Sequence, residues 1–204
     1  MKQALLKKGI VIPVEVPEPK VQKGFVKIKV LHSCISAGTE MGGVNESKKS
    51  LLKKAIDNPQ KITAAFDYFK DRGLKSTTAK LSSVSDSYKG LGYSISGEII
   101  EVGEDANDFK IGDIVAGAGQ GFAVHAEYVS IPKNLVVKVP KGLDTFYACT
   151  GTVGSIALHG VRRADLKLGE FAVVFGVGLL GLLAVQMLRS SGIRVACIDL
   201  DNNR

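Results

Sequence analysis

Phe171-Ala-Val-Val-Phe-Gly-Val-Gly-Leu-Leu-Gly181 is the stretch that decides the fold of this chain. It continues as Leu-Leu-Ala-Val-Gln-Met-Leu188 and, after a Ser-Ser-Gly break, as Arg194-Val-Ala-Cys-Ile-Asp199. The β-branched residues before the glycines predict a buried strand, and the longer apolar run after them predicts a helix. A second buried strand that ends in a carboxylate follows, and Cys197 is expected to be a small buried residue within it.

The three glycines of this stretch fit the pattern G-x-G-x-x-G. Gly176 lets the strand turn sharply, Gly178 lets a pyrophosphate approach the backbone, and Gly181 lets the helix and strand pack closely. The helix that begins here points its N–H groups and the positive end of its dipole towards the phosphates. The stretch therefore predicts a dinucleotide-binding turn.

Asp199 stands about 20 residues beyond the turn, at the end of the second strand, where an acid hydrogen-bonds a ribose 2′-OH. A carboxylate at this position also repels the 2′-phosphate of NADP. We therefore expect the cofactor to be NAD, with NADP disfavoured.

A membrane span is the alternative for Phe171 to Leu188, because this run is uncharged and about 18 residues long, near the lower limit for crossing a bilayer. Three early glycines, the flanking Glu170 and the β-type residues before the glycines favour a strand, turn and helix instead. We expect no membrane span.

Composition sets broad limits on function. The chain has 204 residues, 45% of them hydrophobic, and a net charge of +7, which is enough apolar material for a buried core. No aromatic-plus-basic pattern accompanies the charge, so nucleic acid is not an expected partner. Three scattered cysteines suit reduced thiols in a cytoplasmic protein, and no export signal is present at the N-terminus.

The first part of the chain carries β signals. Gly9 to Val16 is rich in β-branched residues, and Phe25 to Leu31 alternates apolar and charged residues, as a half-buried strand does. The small residues from Ser33 to Gly43 predict a loop.

Residues 45–83 change character and predict a basic helical hairpin inserted into a β domain. Two apolar helical stripes are separated by Asn58-Pro59, and lysines outnumber acids throughout. A solvated face is the simplest explanation of the lysines, and a surface for an acidic substrate or partner is the alternative.

The β signals return from Gly90, and short strands separated by glycine turns predict a small barrel. The expected strands are Ser94 to Gly103, Phe109 to Gly117, Ala126 to Pro132 and Leu135 to Pro140. Residues 142–168 are expected to be mostly helical, with Gly151 and Gly154 interrupting. A domain boundary is expected near Gly142.

The order of these features resembles the medium-chain dehydrogenase/reductases. The resemblance rests on Val102-Gly103, Phe109-Lys-Ile-Gly-Asp-Ile-Val115, Ala126-Glu-Tyr-Val129, Pro140 and the glycine turn. It implies an α+β chain in which a GroES-like β-barrel domain (1–142, with the helical insertion 45–83) precedes an incomplete Rossmann domain (143–204). That second part would hold only the first βαβ unit.

A closer similarity is to the N-terminal half of bacterial bi-domain oxidoreductases, which are often associated with surface-polysaccharide synthesis. It rests on Ser36 to Glu40, the helical insertion, Leu91 to Ser94 and Gly154 to Arg162. It implies a polar, sugar-linked alcohol or carbonyl as the small-molecule substrate.

Two departures from the zinc alcohol dehydrogenases stand out. Their Cys-Gly-Thr/Ser-Asp loop, whose cysteine binds the catalytic zinc, is matched here by Ala37-Gly38-Thr39-Glu40, and their Gly-His-Glu by Gly92-Tyr93-Ser94. Cys149 lies near the third ligand's region but out of register. Because a catalytic zinc needs three protein ligands, we expect none, and no other metal site.

Thr39 and Tyr93 are the catalytic residues that the resemblance implies. Thr39 matches the hydroxyl residue that relays a proton, and Tyr93 replaces the lost histidine with a hydroxyl that can donate to a carbonyl. The alternative is that Thr39 caps a turn and Tyr93 is a barrel residue. Structural roles are expected for His125 and His159.

The resemblance also implies the cofactor residues. Gly176, Val177, Gly178, Leu180 and Gly181 match the pyrophosphate turn, Asp199 the ribose acid, Arg204 a basic residue beside the adenosine ribose, and Thr152 a residue on the nicotinamide side.

The chain ends after the second strand of this domain, so we expect an N-terminal fragment with exposed apolar edges. A homo-oligomer or a missing C-terminal segment would complete the sheet. The predicted function is a zinc-independent, NAD-dependent oxidoreductase. The alternative is a non-catalytic nucleotide-binding or assembly module with a basic docking surface.

Overall fold

A computed structural model describes residues 1–7, 9–40, 42 and 88–201. The predicted helical insertion (45–83) and Arg204 lie outside these residues. The described strands are β1 (Lys2–Lys7), β2 (Ile10–Glu15), β3 (Phe25–Ser33), β4 (Lys89–Gly90), β5 (Ser94–Val102), β6 (Ile114–Ala118), β7 (Tyr128–Pro132), β8 (Val136–Lys138), β9 (Phe171–Phe175) and β10 (Arg194–Ile198). The described α-helices with assigned bounds are α1 (Thr145–Ala148), α2 (Gly151–Ala164) and α3 (Leu179–Ser190).

The chain divides into two units, Met1–Pro17 with Ala37–Leu91, and Glu18–Ser36 with Gly92–Arg204. In the first unit, β1 pairs with β2 and β4 in a three-stranded antiparallel sheet. Gly9, at a φ of 78°, makes the turn between β1 and β2. The β signals near the N-terminus thus belong to a hairpin.

The second unit is built on a five-stranded antiparallel sheet of order β7-β3-β5-β6-β8. Residues that face the core lie opposite each other on neighbouring strands. Ile28 of β3 lies opposite Ile99 of β5, and Ile95 of β5 lies opposite Gly117 of β6. The alternation of side chains along each strand puts these apolar residues on one face, where they pack together. The core contains Val26, Ile28, Ile95, Ile99, Val115, Val129 and Ile131.

The decisive stretch forms the predicted strand, turn, helix and strand. β9 and β10 are parallel, with Val173 opposite Ala196, and α3 connects them. The 18-residue run is therefore divided between a strand and a 12-residue helix. Within the described part of the chain, no helix has the length and apolar character that crossing a bilayer requires.

The sequence predicted that β9 and β10 are buried strands, and this was wrong for one face of each strand. Phe171, Val173 and Phe175 project from the side of β9 that no described element covers, and Phe175 is 78% exposed. The expected burial of Cys197 was also wrong, since this residue is exposed. The physical reason is that α3 covers one face of a two-stranded sheet, and a strand alternates its side chains between faces.

Two local predictions also need correction. Gly154 does not interrupt a helix, because its N–H donates to the Thr150 carbonyl at 2.8 Å and α2 continues to Ala164. In the stretch predicted to be a loop, residues 37–40 are helical. Local glycine content predicted breaks in both places, but backbone hydrogen bonding to the preceding turn outweighs the glycine penalty of about 1 kcal/mol.

Candidate nucleotide-binding and active site

The glycine turn has the backbone geometry that its sequence predicts. Gly176 adopts a φ of 89°, a left-handed conformation that side chains disfavour. Its N–H donates to the carbonyl of Ile198 at 2.7 Å, which ties the turn to the end of β10. Gly178 is the N-cap of α3, and no side chain caps it. The first turn of α3 is thus open in the way that phosphate binding requires.

Gly181 is required by space rather than by conformation. A Cβ atom at this position would lie 1.9 Å from the carbonyl oxygen of Gly176. The closest approach of α3 to β9 therefore occurs at this glycine. Leu180 is exposed beside it.

Asp199 is bonded directly to the glycine turn. Its Oδ2 accepts a hydrogen bond from the N–H of Val177 at 2.6 Å, and its Oδ1 accepts one from the N–H of Asp201 at 2.9 Å. The structure thus brings together two of the residues expected to bind the cofactor, Val177 and Asp199. The Val177 contact was not foreseen, because the pattern gives the spacing of the acid and not its partner.

Tyr93 belongs to the second unit and immediately precedes β5. It is half-buried and packs against a cluster of Cys34, Cys149 and Val153. Leu183 of α3 packs against the same cluster. Tyr93 and the helix of the glycine turn therefore contact a common set of side chains.

Ser94 and Ser96 are buried polar residues that the sequence reasoning missed. Ser94 Oγ donates to the carbonyl of Cys149 at 2.6 Å and accepts from the N–H of Thr152 at 3.3 Å. Ser96 Oγ donates to the carbonyl of Thr145 at 2.6 Å. Two serines at alternate positions of a β-type run, Ser94 and Ser96, were the available signal.

The three histidines differ in their surroundings. The Nδ1 atom of His125 lies 2.9 Å from Ser33 Oγ, and that of His32 lies 2.9 Å from Thr145 Oγ1. A Cβ at Gly92 would lie 2.9 Å from the Cε1 and Nδ1 atoms of the His125 ring. His159 is exposed. His125 thus packs beside the residue that precedes Tyr93.

Thr39 lies in the helical residues 37–40, and its side chain is exposed. Thr152 is the second residue of α2 and is partly buried. Thr152 is connected to the strand of Tyr93 through Ser94.

Comparison with known proteins identifies the relatives of this arrangement. The alcohol dehydrogenase GroES-like domain matches residues 80–141. The chain is 29% identical over 203 residues to (R,R)-butanediol dehydrogenase of Bacillus subtilis (strain 168), covering 87% of this chain and 51% of that protein. It is 33% identical over 106 residues to D-guloside 3-dehydrogenase of Escherichia coli (strain K12), covering 52% of this chain and 30% of the relative.

The solved structures agree with the sequence comparison. The quinone oxidoreductase from Coxiella burnetii has a TM-score of 0.71 at 25% identity, over 97% of this chain and 56% of that one. Together these matches support the medium-chain dehydrogenase/reductase superfamily for this chain. Galactitol-1-phosphate dehydrogenase from Escherichia coli shares the fold, with a TM-score of 0.75 at 18% identity, over 100% of this chain and 57% of that one.

The domain match and the structural likeness confirm the expected fold class. The chain combines a GroES-like domain with the start of a Rossmann-like domain. It spans about half, or less, of the length of the curated relatives named above.

The described residues fit the NAD(P) cofactor that this superfamily implies. The open N-terminus of α3 suits a pyrophosphate, and Asp199 offers a carboxylate to a ribose. Catalytic zinc, which many medium-chain dehydrogenases use, fits the donor set less well. The Cys34 and Cys149 thiols that pack against Tyr93 could ligate zinc as thiolates, but the phenol of Tyr93 is not among the usual zinc ligands.

The Cys149 thiol of this cluster is held in its neutral form. Burial raises the pKa of Cys149, and the neighbouring Cys34 raises it further. The Cys149 thiol donates to the carbonyl of Phe146 at 3.1 Å. In the part of the chain that the structure describes, no three His, Cys, Asp or Glu side chains are placed to hold a metal ion.

Proposed function

We propose that this protein is a zinc-independent, NAD-dependent oxidoreductase that moves a hydride to or from a polar alcohol or carbonyl compound. The observation that carries the proposal is the Asp199 carboxylate, held 2.6 Å from the Val177 N–H of the glycine turn. This contact keeps a ribose-binding acid beside the open N-terminus of α3. We assign the barrel to residues 1–142 and the nucleotide-binding part to 143–204.

NAD is favoured over NADP by electrostatics. A 2′-phosphate placed beside Asp199 would bring two like charges within hydrogen-bond distance. A 2′-hydroxyl would instead donate a hydrogen bond to the same carboxylate. Val177 supports this role because its N–H orients the carboxylate.

The chemistry that bound NAD supplies is hydride acceptance or donation at its nicotinamide. Tyr93 is proposed to donate a hydrogen bond from its hydroxyl to the substrate oxygen and so to stabilise charge that develops there. Thr39 is proposed to relay the proton that enters or leaves that oxygen. Thr152 is assigned to the nicotinamide side, and Arg204 to the adenosine ribose.

A sugar-linked substrate is the favoured class. The relative in Escherichia coli that is 33% identical over 106 residues is named a D-guloside 3-dehydrogenase, whose name specifies a sugar derivative. We place the chain with the bi-domain oxidoreductases of surface-polysaccharide synthesis, acting in the cytoplasm. A second copy or a further segment is proposed to complete the sheet of β9 and β10.

Cofactor preference is the first test of this proposal. Calorimetric titration is expected to show NADH binding about tenfold or more tighter than NADPH, since repulsion between close like charges exceeds about 1.4 kcal/mol. Asp199→Asn keeps the shape of the side chain and removes its charge, so it should bring the two affinities together. Asp201→Asn, the control, should leave the preference unchanged. Equal or tighter NADPH binding by the wild type would remove the role given to Asp199.

Tyr93→Phe tests the catalytic assignment. Loss of turnover with unchanged NADH affinity is expected, because only the hydroxyl donor is removed. Unchanged turnover would remove Tyr93 from the mechanism, and absence of turnover in the wild type would favour a nucleotide-binding module. Stoichiometric zinc in the purified protein would contradict zinc independence.

A further inference from the structure

Ser94 and Ser96 occupy equivalent places on one face of β5, but they contact different parts of the helices. Ser94 is 1% exposed and Ser96 is 0% exposed. The Ser96 hydroxyl donates a hydrogen bond to the carbonyl of Thr145 at the start of α1. Ser94 contacts the junction where α1 ends and α2 begins.

The Ser94 hydroxyl uses both its donor and its acceptor capacity at this junction. It donates to the carbonyl of Cys149, the C-cap of α1, and accepts from the N–H of Thr152 in the first turn of α2. One hydroxyl thus satisfies an orphan carbonyl at one helix end and an orphan N–H at the next. The carbonyl of Ser94 also accepts from the N–H of Cys34 at 3.0 Å.

These bonds surround the residue that precedes Ser94 in the chain. Tyr93 packs on Cys34, Cys149 and Val153, and Leu183 of α3 packs on the same cluster. Ser94 forms hydrogen bonds with the backbones of Cys34 and Cys149, and both cysteines belong to this cluster. The backbone of Tyr93 is fixed on its other side, where its carbonyl accepts from the N–H of Gly119 at 3.0 Å.

We propose that Ser94 is a positioning residue that holds Tyr93 and Thr152 in one rigid arrangement. This inference rests on the proposed function, which gives Tyr93 the substrate oxygen and Thr152 the nicotinamide side. Ser94 touches neither substrate nor cofactor and acts through these two neighbours. Its loss therefore affects the nicotinamide end of NADH and leaves the adenosine and pyrophosphate end, which the glycine turn and Asp199 bind, unaffected.

The experiment compares Ser94→Ala with Ser96→Ala, since both remove one buried hydroxyl from the same strand face. Calorimetry measures the affinity of each protein for NADH and for ADP-ribose, which lacks the nicotinamide. In Ser94→Ala, NADH binding should weaken by about tenfold, the factor expected if the shift of Thr152 costs the nicotinamide end one hydrogen bond, with ADP-ribose binding nearly unchanged. In Ser96→Ala, both affinities should stay at the wild-type level.

Hydrogen–deuterium exchange of the cofactor-free protein supplies an independent readout. Ser94→Ala should speed exchange at the Thr152 amide and in the peptide that contains Tyr93, whereas Ser96→Ala should speed exchange only near Thr145. Ser94→Thr keeps the hydroxyl and should restore slow exchange and NADH affinity. If Ser94→Ala does not fold, Ser94→Cys, which has a weaker donor of similar size, takes its place.

The outcomes separate this inference from the proposed function. A wild-type protein that binds neither ADP-ribose nor NADH overturns the proposed function. A wild-type protein that binds both, with Ser94→Ala and Ser96→Ala equal in NADH affinity and in exchange, overturns the positioning role alone. An equal loss of ADP-ribose and NADH affinity in Ser94→Ala also overturns it, because the effect would then be general loss of structure.

Discussion

Gly181 leaves no room for a side chain, because the Gly176 carbonyl oxygen lies 1.9 Å from the place where a Cβ would stand. The neighbour is backbone rather than a movable side chain, so either α3 or the turn must shift to admit a methyl group. Gly160, in α2, has no atom within 4 Å of the same position. The two helical glycines therefore form a matched pair for substitution.

Gly181→Ala is expected to destabilise the protein by about 2–3 kcal/mol through overpacking and to abolish ADP-ribose binding. Gly160→Ala should stabilise it by about 0.5–1 kcal/mol, because alanine is the better helix former. Urea unfolding and calorimetric titration measure the two effects. Wild-type ADP-ribose affinity in Gly181→Ala would show that the contact between turn and helix is not needed for binding.

The pH dependence of cysteine modification should separate the buried thiol of Cys149 from exposed Cys197. Burial, aided by Cys34, raises the pKa of Cys149, so its thiolate should form only above the ordinary thiol range. Mass spectrometry should show Cys197 alkylated more than about tenfold faster at neutral pH. Equal rates would contradict the buried placement of Cys149.

The same shift fixes the sign of a stability effect. The folded protein holds the Cys149 proton more strongly than the unfolded chain does. The stabilisation of the folded state by this protonated thiol is therefore fully present below the ordinary thiol pKa. It is lost as the pH rises from the ordinary thiol pKa to the raised pKa of Cys149.

At the scale of single residues, the sequence predicted those residues whose role depends on their spacing within a short motif. Gly176, Gly181 and Asp199 were identified from their spacing. Gly181 packs closely against Gly176, as expected, whereas the bond between Asp199 and Val177 was not foreseen. Ser94 was not identified, because its partner Cys149 lies 55 positions away and only the folded chain brings them together.

Among the strands, β5 carries the centre of the core. Ile99 is fully buried and faces Ile28 of β3, whereas Ile111 lies in the turn that leads into β6 and is 70% exposed. Ile99→Ala should therefore cost about 2–5 kcal/mol of unfolding free energy, and Ile111→Ala about 0.5 kcal/mol or less. Chemical denaturation provides the measurement, and similar losses in the two variants would contradict the assigned sheet face.

Strand alternation and the glycine pattern predicted the existence of most elements, while their ends were less well predicted. The strand expected from Ala126 begins at Tyr128, and the one expected from Leu135 follows a 3₁₀ turn at Lys133–Leu135. Periodicity fixes which face a residue occupies, but the position where pairing stops depends on the neighbouring strand. The break expected at Gly154 of α2 was wrong because the helical hydrogen bonds continue through this residue. They outweigh the cost of a glycine in a helix.

At the scale of the whole molecule, the uncovered side of β9 and β10 is an apolar surface among the described residues. We define this apolar face by Phe171, Val173, Phe175 and Ile198, each at least 44% exposed. Contiguous apolar surface of this kind promotes association and dye binding. The double variant Val173→Thr with Phe175→Thr should bind less 8-anilinonaphthalene-1-sulfonate and sediment as a smaller species at high concentration.

Ile111→Thr is the control for this prediction, because it removes an equally exposed apolar side chain from an isolated site. It should leave both dye fluorescence and sedimentation as in the wild type. Dye binding that is the same in all three proteins would show that the apolar face is not the surface responsible.

A Cβ at residue 92 would lie 2.8 Å from the backbone nitrogen of His125 and 2.9 Å from two atoms of its imidazole ring. Residue 92 therefore cannot become larger while the backbone and the imidazole at 125 stay in place. Among homologous sequences, a larger residue at position 92 should appear together with a smaller one at 125, and only in lineages whose backbone at 92 has left the left-handed region. The two positions are expected to covary, and a histidine at 125 should mark the lineages that keep glycine immediately before the tyrosine.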